Sequence, residues 1–245
     1  MVLGPIVPGK WAPGAPSVGV MPVAIVTGAS RGLGLALAGE LASRGWKLIV
    51  DARGAEALER AEAKLGDVVA LAGDVSDPAH RQALVQAAGE HIDLLVNNAS
   101  MLGPSPQPEL ASYPLDELER VYRVNVFAPL ALAQLALPRM GAGARILNVT
   151  SDAAVAAYSG WGGYGSAKAA LEQLTAVLAA ENARLRIYAV DPGDMRTQMQ
   201  QQAFPGEDIS DRPPPEASVP GLLALIEGDL PSGRYRAAEL AEVVA

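Results

Sequence analysis

The stretch that decides the fold runs Val23-Ala24-Ile25-Val26-Thr27-Gly28-Ala29-Ser30-Arg31-Gly32-Leu33-Gly34. Its first four residues form an apolar run rich in β-branched side chains, which predicts a buried strand. Glycines follow in the pattern G-x-x-x-G-x-G, and Leu and Ala then recur at helical spacing over 35–42. Strand, glycine turn and helix in this order form the context that a dinucleotide-binding fingerprint requires.

A glycine turn in this context predicts phosphate binding. Glycine permits the sharp turn and lets the backbone approach a pyrophosphate, while the N-terminus of the following helix offers unpaired N–H groups and partial positive charge. We therefore predict that the turn holds the phosphates of a dinucleotide. The residues assigned to it are Gly28, Ser30, Arg31, Gly32, Leu33 and Gly34.

The rest of the chain alternates strand and helix patterns. Strands are predicted over 47–52, 68–72, 93–96, 145–150 and 186–190. Helices are predicted over 55–65, 78–89, 115–137 and 163–181, and Pro129 is expected to kink or divide the third of them. The alternation predicts a single α/β domain of Rossmann type, a doubly wound parallel sheet of about seven strands with helices on both faces.

Candidate catalytic residues follow the strand ends. Ligands of open α/β sheets bind beyond the carboxyl ends of the strands, and Ser151 follows such an end. Tyr164 and Lys168 stand at i and i+4 of the next predicted helix, so they share one face. A lysine ammonium beside a phenol lowers its pKa from about 10 and makes tyrosine a usable acid or base near neutrality. The same spacing also occurs on solvated helix faces, and the upstream motifs favour catalysis.

Taken together, the motifs resemble the short-chain dehydrogenase/reductase family, of the single-domain type. The resemblance covers residues 27 to about 197. It rests on Thr-Gly-x-x-x-Gly-x-Gly at 27–34, Asp74-Val75, Asn97-Asn98-Ala99, Asn125, Ser151, Tyr164-x-x-x-Lys168 and Pro192-Gly193. Ser100 stands where the family usually has Gly.

The resemblance implies an oxidoreductase that transfers hydride between nicotinamide and a small-molecule carbonyl or alcohol. Ser151 would polarise the substrate oxygen, Tyr164 would be the acid or base, and Lys168 would lower the phenol's pKa and hold the ribose. Asn125 would bend a helix and anchor a water in the proton relay. Further cofactor contacts are implied for Asp74, Val75, Asn98, Ala99, Pro192, Gly193 and Thr197, beside Tyr164 and Lys168.

The choice between NADP and NAD is contested within the sequence. An acidic residue about 20 positions past the glycine turn binds the ribose of NAD, and Asp51 roughly meets that spacing. In the family's register the discriminating position is instead Ala52, followed by Arg53, which resembles members that bind the 2′-phosphate of NADP through a guanidinium. Arg31 would supply a second cation. We predict NADP and keep NAD open.

The amino-acid composition limits the classes of binding partner that we expect for this protein. The formal net charge of −8 argues against nucleic acid and against anionic membranes. No apolar run approaches the ~20 residues that span a bilayer. The absence of Cys removes disulfides and metal thiolates, which fits a cytoplasmic protein. His80 and His91 are expected at the surface or at helix caps, and no metal site is predicted.

The domain is expected to span 22–245. Residues 1–21, rich in Pro and Gly, are interpreted as a flexible extension, with an upstream start or an arm anchored by Trp11 on a neighbouring subunit as alternatives. A loop at about 196–220, with Met199 and Phe204, is expected to cover an apolar substrate pocket. The resemblance implies a homodimer or homotetramer. A non-catalytic redox sensor, an epimerase or a dehydratase on the same scaffold remain alternatives.

Overall fold

The structure is a computed structural model that describes residues 21–244. The predicted extension at 1–21 therefore lies, apart from Met21, outside the described residues. Within the described range one sheet of seven parallel strands has the order β3-β2-β1-β4-β5-β6-β7. The strands are β1 (Val23–Val26), β2 (Lys47–Ala52), β3 (Val68–Ala72), β4 (Leu94–Asn97), β5 (Arg145–Val149), β6 (Arg186–Asp191) and β7 (Gly233–Arg236).

Helices cover both faces of this sheet, which confirms the predicted doubly wound α/β fold. They are α1 (Gly32–Ser43), α2 (Ala55–Leu65), α3 (Pro78–Ala88), α4 (Leu115–Tyr122), α5 (Ala128–Ala136), α6 (Gly162–Glu181), α7 (Gln198–Ala203), α8 (Val219–Glu227) and α9 (Ala237–Val244). The predicted strands and helices agree with these bounds to within about one residue wherever both exist, apart from the long third helix and from α1, which begins at Gly32 rather than at the predicted residue 35.

The apolar run of β1 lies at the centre of two cores. Ala24 and Val26 belong to the cluster that contains Leu37 of α1, whereas Val23 and Ile25 belong to the cluster on the other face. Successive side chains of a strand point to opposite faces. A central parallel strand is therefore apolar at every position, and this is why the run predicted it.

The predicted long helix is divided by a π-helical turn at Arg123–Phe127, one turn before Pro129. Pro129 has no N–H, so the α-helical bond to the carbonyl of Asn125 four residues earlier cannot form. The backbone hydrogen bonds just upstream of the proline change from the α-helical to the π-helical pattern. Such π turns recur at functional sites. The break therefore falls at Asn125 rather than at the proline itself.

Four elements near the C-terminus were not predicted, namely α7, α8, β7 and α9. Strand β7 has the sequence Gly-Arg-Tyr-Arg and lies at the edge of the sheet, so it lacks the apolar pattern of the buried strands. Helix α8 is buried and apolar, yet Pro220 and Gly221 in its first turn have the composition of a loop. The predicted substrate loop at 196–220 also contains helix α7, so it is only partly irregular.

The expectation that no apolar stretch has the length of a membrane span needs correction. Among the described residues, the helical stretch Leu115–Arg139 has the length and the apolar composition that a membrane-spanning helix needs. Half of its apolar window is buried inside the protein, where α5 packs on α3 and β4. Buried core helices can have the same length and apolar composition, so this stretch is only weak support for a membrane span.

The sheet order defines where a ligand can bind. Strands β1 and β4 are neighbours, but the chain leaves β1 towards β2 and returns to β4 only after β3. A crevice opens beyond the carboxyl ends of strands at such a switch point. The glycine turn after β1 and the Asn97-Asn98-Ala99 segment after β4 both lie there.

Candidate active site

The glycine turn relies on conformations and contacts that favour glycine. Gly28 and Gly32 have φ of 68° and 56°, in the left-handed region. At Gly34 an added Cβ would lie 2.5 Å from both the Gly28 carbonyl oxygen and Nδ2 of Asn98. No side chain among the described residues caps α1 at Arg31, so the N–H groups of its first turn remain available to an anion.

The turn is tied to the chain after β4. Oγ1 of Thr27 accepts hydrogen bonds from the backbone N–H groups of Asn98 and Ala99, both at 3.0 Å. Nδ2 of Asn98 donates to the carbonyl oxygens of Thr27 at 2.8 Å and Gly28 at 3.2 Å. Asn98 therefore holds the turn in place, and its predicted contact with the ribose stays a prediction.

Asp51 is occupied inside the protein. Its side chain is buried, Oδ1 accepts the Gly28 N–H at 2.7 Å, and Oδ2 lies 3.0 Å from Nε2 of His80. The prediction of a surface or capping role for His80 is wrong, because its ring is buried against Gly73, where an added Cβ would lie 2.2 Å from Nδ1. His91 is exposed as expected. The internal bonds of Asp51 weaken the sequence argument for NAD.

Arg53 and Asp74, both predicted to lie near the adenosine of the cofactor, follow β2 and β3. Arg53 is exposed directly after β2. Burial opposes the ionisation of Asp74, but bonds from Ser76 and the charge of Arg53 outweigh it and lower the pKa of that carboxyl. The Ser76 N–H donates to Oδ1 at 2.7 Å, and Val75 is buried beside it. Asp74 is therefore held as an anion at the predicted adenine position.

Arg31, the second predicted phosphate ligand, is exposed beside the glycine turn. Its guanidinium donates to Oε1 of Gln198 on α7. Helix α7 thus approaches the glycine turn from the chain after β6. At Gly32 an added Cβ would lie 3.5 Å from Cγ2 of Thr197, which caps α7.

The Pro192-Gly193 turn follows β6 directly. Gly193 has φ of 77°, and its N–H donates to Oδ1 of Asp191 at 3.0 Å. The chain then reaches Thr197 and α7. Structure and prediction therefore agree on where Pro192, Gly193 and Thr197 lie, while their contacts with a cofactor stay predictions.

Tyr164 and Lys168 are both buried on α6, beside the end of β5. Tyr164 is 8% exposed and Lys168 is 2% exposed. Nζ of Lys168 donates to the Val149 carbonyl at 2.7 Å and lies 5.5 Å from the centroid of the Tyr164 ring. Tyr164 packs in one apolar cluster with Ala153, two residues after Ser151. The fold thus brings the chain that follows β5 and carries Ser151 next to Tyr164 and Lys168 of α6.

Burial dominates the protonation of this pair. Desolvation raises the pKa of Tyr164 to about 12, although a hydrogen bond from Ser100 lowers it, and the carboxylates of Asp191 and Asp152 raise it further. Desolvation lowers the pKa of Lys168 to about 8. The pKa of the phenol therefore lies above its ordinary value in this structure, and the predicted lowering of that pKa by Lys168 stays a prediction.

Ser151 follows β5, and its hydroxyl is hydrogen-bonded to the side chain of the next residue. Oγ donates to Oδ1 of Asp152 at 2.9 Å and accepts the N–H of Ala153 at 3.2 Å. The phenol of Tyr158 donates to the other carboxylate oxygen of Asp152 at 2.9 Å. Sequence reasoning missed Asp152, although an acid directly after a candidate catalytic serine is a readable signal.

Asn125 is fully buried in the π turn. Oδ1 accepts the Met101 N–H at 2.8 Å and the Ser100 hydroxyl at 3.2 Å, while Nδ2 donates to the Met101 carbonyl at 2.8 Å. These bonds tie the helix break to the chain after β4. The π turn thus lies at the residue where a bend was predicted, while the bend itself and the role of Asn125 in a water relay stay predictions.

An apolar wall covers Tyr164. The Trp161 ring lies 5.9 Å from the Tyr164 ring and 5.9 Å from the Phe204 ring, measured between centroids. Leu102 and Met199 complete the cluster. Met199 and Phe204 come from the segment that was predicted to cover the substrate, so the structure places that segment over the candidate acid/base.

Arg234 of β7 also reaches the site, and sequence reasoning missed it. Its guanidinium bonds the carboxylates of Glu172 at 2.9 Å and Asp191 at 3.4 Å, and the Ser151 carbonyl at 3.4 Å. No signal in the sequence pointed to it, because β7 lacks the apolar pattern of a strand. It ties the ends of β5, β6 and β7 together behind Ser151.

Comparison with known proteins agrees with this geometry. The family model described as short chain dehydrogenase matches residues 22–208. The chain belongs to the short-chain dehydrogenase/reductase family and is an NAD(P)-dependent oxidoreductase.

Particular relatives come from several organisms. The rhamnolipid-biosynthesis 3-oxoacyl-acyl-carrier-protein reductase of Pseudomonas aeruginosa is 36% identical over an alignment of 192 residues that covers 72% of this chain and 74% of the relative. The 2-(R)-hydroxypropyl-CoM dehydrogenase of Xanthobacter autotrophicus is 35% identical over 203 residues, 78% of this chain and 81% of the relative. A short chain dehydrogenase of Escherichia coli CFT073, solved with NADPH, superposes with a TM-score of 0.82 at 27% identity, covering 88% of this chain and 96% of that chain.

Proposed function

We propose that this protein is an NADP-dependent oxidoreductase that interconverts a small-molecule carbonyl and the corresponding alcohol, with Tyr164 as acid/base. One observation carries the proposal: Tyr164 and Lys168 are both buried and 5.5 Å apart, Nζ to ring centroid. Burying an ionisable amine beside a phenol opposes folding. Such perturbed groups cluster at functional sites, whereas a solvated helix face would leave both groups exposed.

The crevice fits a dinucleotide. The uncapped N-terminus of α1 and the left-handed Gly28 and Gly32 form a cradle in which backbone N–H groups can meet phosphates. NADP, when bound, supplies or accepts the hydride. The residues that would hold its adenosine end are Arg31, Arg53, Asp74, Val75, Asn98 and Ala99, and those near nicotinamide are Pro192, Gly193, Thr197 and Lys168.

Two observations favour NADP over NAD. Arg53 is exposed after β2, where a guanidinium can bind a 2′-phosphate in two parallel hydrogen bonds. Asp51, the acid that could bind the ribose of NAD, is buried and bonded to Gly28 and His80. The solved Escherichia coli relative with NADPH supports the same choice.

The protein's own residues then handle the proton. The Ser151 hydroxyl turns from Asp152 to donate to the substrate oxygen and polarises the carbonyl. The Tyr164 phenol gives its proton to that oxygen during reduction and takes it back during oxidation. Lys168 holds the nicotinamide ribose and brings a positive charge near the phenolate. The wall of Trp161 and Phe204 excludes water from this transfer.

The experiment is NADPH oxidation with a panel of ketones, aldehydes and quinones. Tyr164→Phe should lower turnover about 10²–10⁴-fold with little change in cofactor affinity, the usual loss when an acid/base group is removed. Tyr122→Phe, a phenol outside the site, is the matched control. Turnover within a few-fold of wild type in Tyr164→Phe would refute the acid/base role, and cofactor binding without turnover across the panel would favour a redox sensor.

We also propose a cytoplasmic homodimer or homotetramer with no nucleic-acid or membrane partner. The net charge of −8 and the absence of Cys support this setting. Phe127 and Val177 are exposed on the π turn and α6, which pack against each other, and such apolar exposure suits a subunit interface. Light scattering after size-exclusion chromatography measures the assembly, and a mass of one chain would refute it.

A further inference from the structure

His80 is a buried titratable side chain that the proposed mechanism does not use. It lies on α3, a helix that carries none of the predicted catalytic or cofactor residues. The residue is 9% exposed, and its Nε2 lies 3.0 Å from Oδ2 of Asp51, which is 1% exposed. Burying an imidazole and a carboxylate opposes folding unless the two groups satisfy each other. A bonded pair of this kind in the interior restrains whatever else it is bonded to.

Asp51 carries this restraint to the glycine turn. Its Oδ1 accepts the backbone N–H of Gly28 at 2.7 Å, so one carboxylate joins the imidazole of α3 to the first glycine of the turn. An ionised carboxylate only accepts hydrogen bonds, so the bond at Oδ2 needs a hydrogen on Nε2 of His80. The backbone N–H of Ala29 also donates to the carbonyl oxygen of Asp51 at 2.9 Å. The turn is thus bonded to both the side chain and the backbone of one residue.

The imidazole ring is itself fixed in place by the chain after β3. An added Cβ at Gly73 would lie 2.2 Å from Nδ1 and 2.6 Å from Cε1 of His80, so the ring occupies the space that a side chain at position 73 would need. The Gly73 N–H donates to the Ala52 carbonyl at 3.0 Å, at the end of β2. Asp74, the predicted adenine contact, is the next residue. One imidazole therefore packs between the segment that is predicted to hold adenine and the acid that bonds the glycine turn.

We propose that His80 is a positioning residue for cofactor binding: its N–H holds the Asp51 carboxylate so that Gly28 keeps the left-handed conformation that the phosphate cradle needs. The cofactor part of this proposal rests on the proposed function. Gly28 has a φ of 68°, and an added Cβ there would lie 2.9 Å from Cα of Ala99, so the turn fits closely against the chain after β4. A turn without its restraint samples more conformations, and a bound phosphate must then order it at a cost in affinity.

Two substitutions separate the hydrogen bond from the space that the ring fills. His80→Leu fills much of that space but has no donor, whereas His80→Gln can direct an amide N–H to Asp51. In fluorescence titrations without substrate, the Kd values for NADPH and NADH should both rise about 10-fold in His80→Leu, as expected for the loss of one hydrogen bond to a charged group. His80→Gln should stay within about 3-fold of wild type. His91→Ala, which removes an exposed histidine, is the matched control.

Amide hydrogen exchange in the cofactor-free protein measures the restraint on the turn directly. The Gly28 N–H should exchange about 10-fold faster in His80→Leu than in wild type, while the N–H groups of the central strand β1 keep their rates. Faster exchange by the same factor at Gly28 and in β1 would overturn the proposal, because the substitution would then only destabilise the whole fold. Should His80→Leu not fold, His80→Ala is measured in the same way.

Unchanged Kd values in His80→Leu, or equal losses in His80→Leu and His80→Gln, would also overturn the proposal. A loss of affinity for NADPH alone would do the same, since the turn is proposed to hold the phosphates that both cofactors carry. If the wild-type protein binds neither cofactor, the proposed function fails, while hydrogen exchange at Gly28 still decides whether His80 holds the turn.

Discussion

Nζ of Lys168 lies 5.5 Å from the centroid of the Tyr164 ring, and the two pKa values move in opposite directions on burial. The pKa of the phenol rises to about 12 and that of the amine falls to about 8. Both shifts favour the uncharged forms. Near pH 9 both side chains are therefore mainly uncharged in the native protein. The contribution of the pair to the free energy of unfolding consequently depends on pH.

The first prediction concerns this pH dependence. Below about pH 8 Lys168 is charged in the native and unfolded states, but between about 8 and its ordinary value of 10.5 only the unfolded state keeps the proton, so stability rises with pH. From about pH 8 to pH 10 we expect the free energy of unfolding of wild type to gain on the order of 1–3 kcal/mol relative to Lys168→Met. Urea unfolding across this range, without cofactor, measures it.

Lys64→Met, an exposed lysine of α2, should run parallel to wild type in the same series. Parallel curves for wild type and Lys168→Met would show that Lys168 titrates at its ordinary pKa. The comparison cancels the titration of every other group, including the rise in the pKa of Tyr164, which costs stability only above about pH 10.

The second prediction separates NADP from NAD at Arg53. Removing a guanidinium that binds the 2′-phosphate should raise the Kd for NADPH about 10–100-fold, the value of one or two charge-assisted hydrogen bonds. The Kd for NADH should change less than about 2-fold, because NADH has no 2′-phosphate. Fluorescence titration of Arg53→Ala with both cofactors measures this, with Arg60→Ala of α2 as control. Equal losses for both cofactors would remove Arg53 from the 2′-phosphate site.

The third prediction concerns Asp51. Asp51→Ala leaves the Gly28 N–H and the His80 ring without their partner, which should cost about 1–3 kcal/mol of stability. Because the glycine turn then loses its support, affinity for NADPH and NADH should fall together. Loss of NADH affinity alone, with stability preserved, would instead show that Asp51 binds the ribose. Thermal unfolding and the same fluorescence titration provide both readouts.

The fourth prediction compares two glycines of α1. Gly34→Ala puts a methyl group 2.5 Å from the Gly28 carbonyl oxygen and Nδ2 of Asn98, so the turn must shift. We expect about 1–3 kcal/mol of destabilisation and loss of cofactor binding. At Gly39 the nearest atom to an added Cβ is Cδ2 of Leu65 at 3.9 Å, so Gly39→Ala should stabilise the helix by about 0.5–1 kcal/mol.

Chemical unfolding of the two variants and wild type checks the pair. Equal stability in Gly34→Ala and wild type would mean that the contact between the turn and Asn98 is not close. Gly39→Ala shares the same helix and the same chemical change, so it removes helix propensity as an explanation of the difference.

Much of the fold followed from local patterns. The run Val23–Val26 predicted a central strand because a parallel strand buried on both faces must be apolar throughout. The prediction that Tyr164 and Lys168 share one helix face followed from their separation of four residues, about one helical turn. Strand β7 could not be predicted, because its residues at the sheet edge need no apolar pattern.

The sequence by itself determined the order of strands and helices from β1 to β6, the glycine turn and the set of candidate catalytic residues, since these depend on spacing along the chain. Only the tertiary structure decided that Asp51 bonds His80 and Gly28, that Ser100 donates a hydrogen bond to Asn125, and that burial shifts the pKa values of Tyr164 and Lys168. The physical reason is that desolvation and long-range hydrogen bonds depend on which distant segments pack together, and spacing along the chain carries no measure of either.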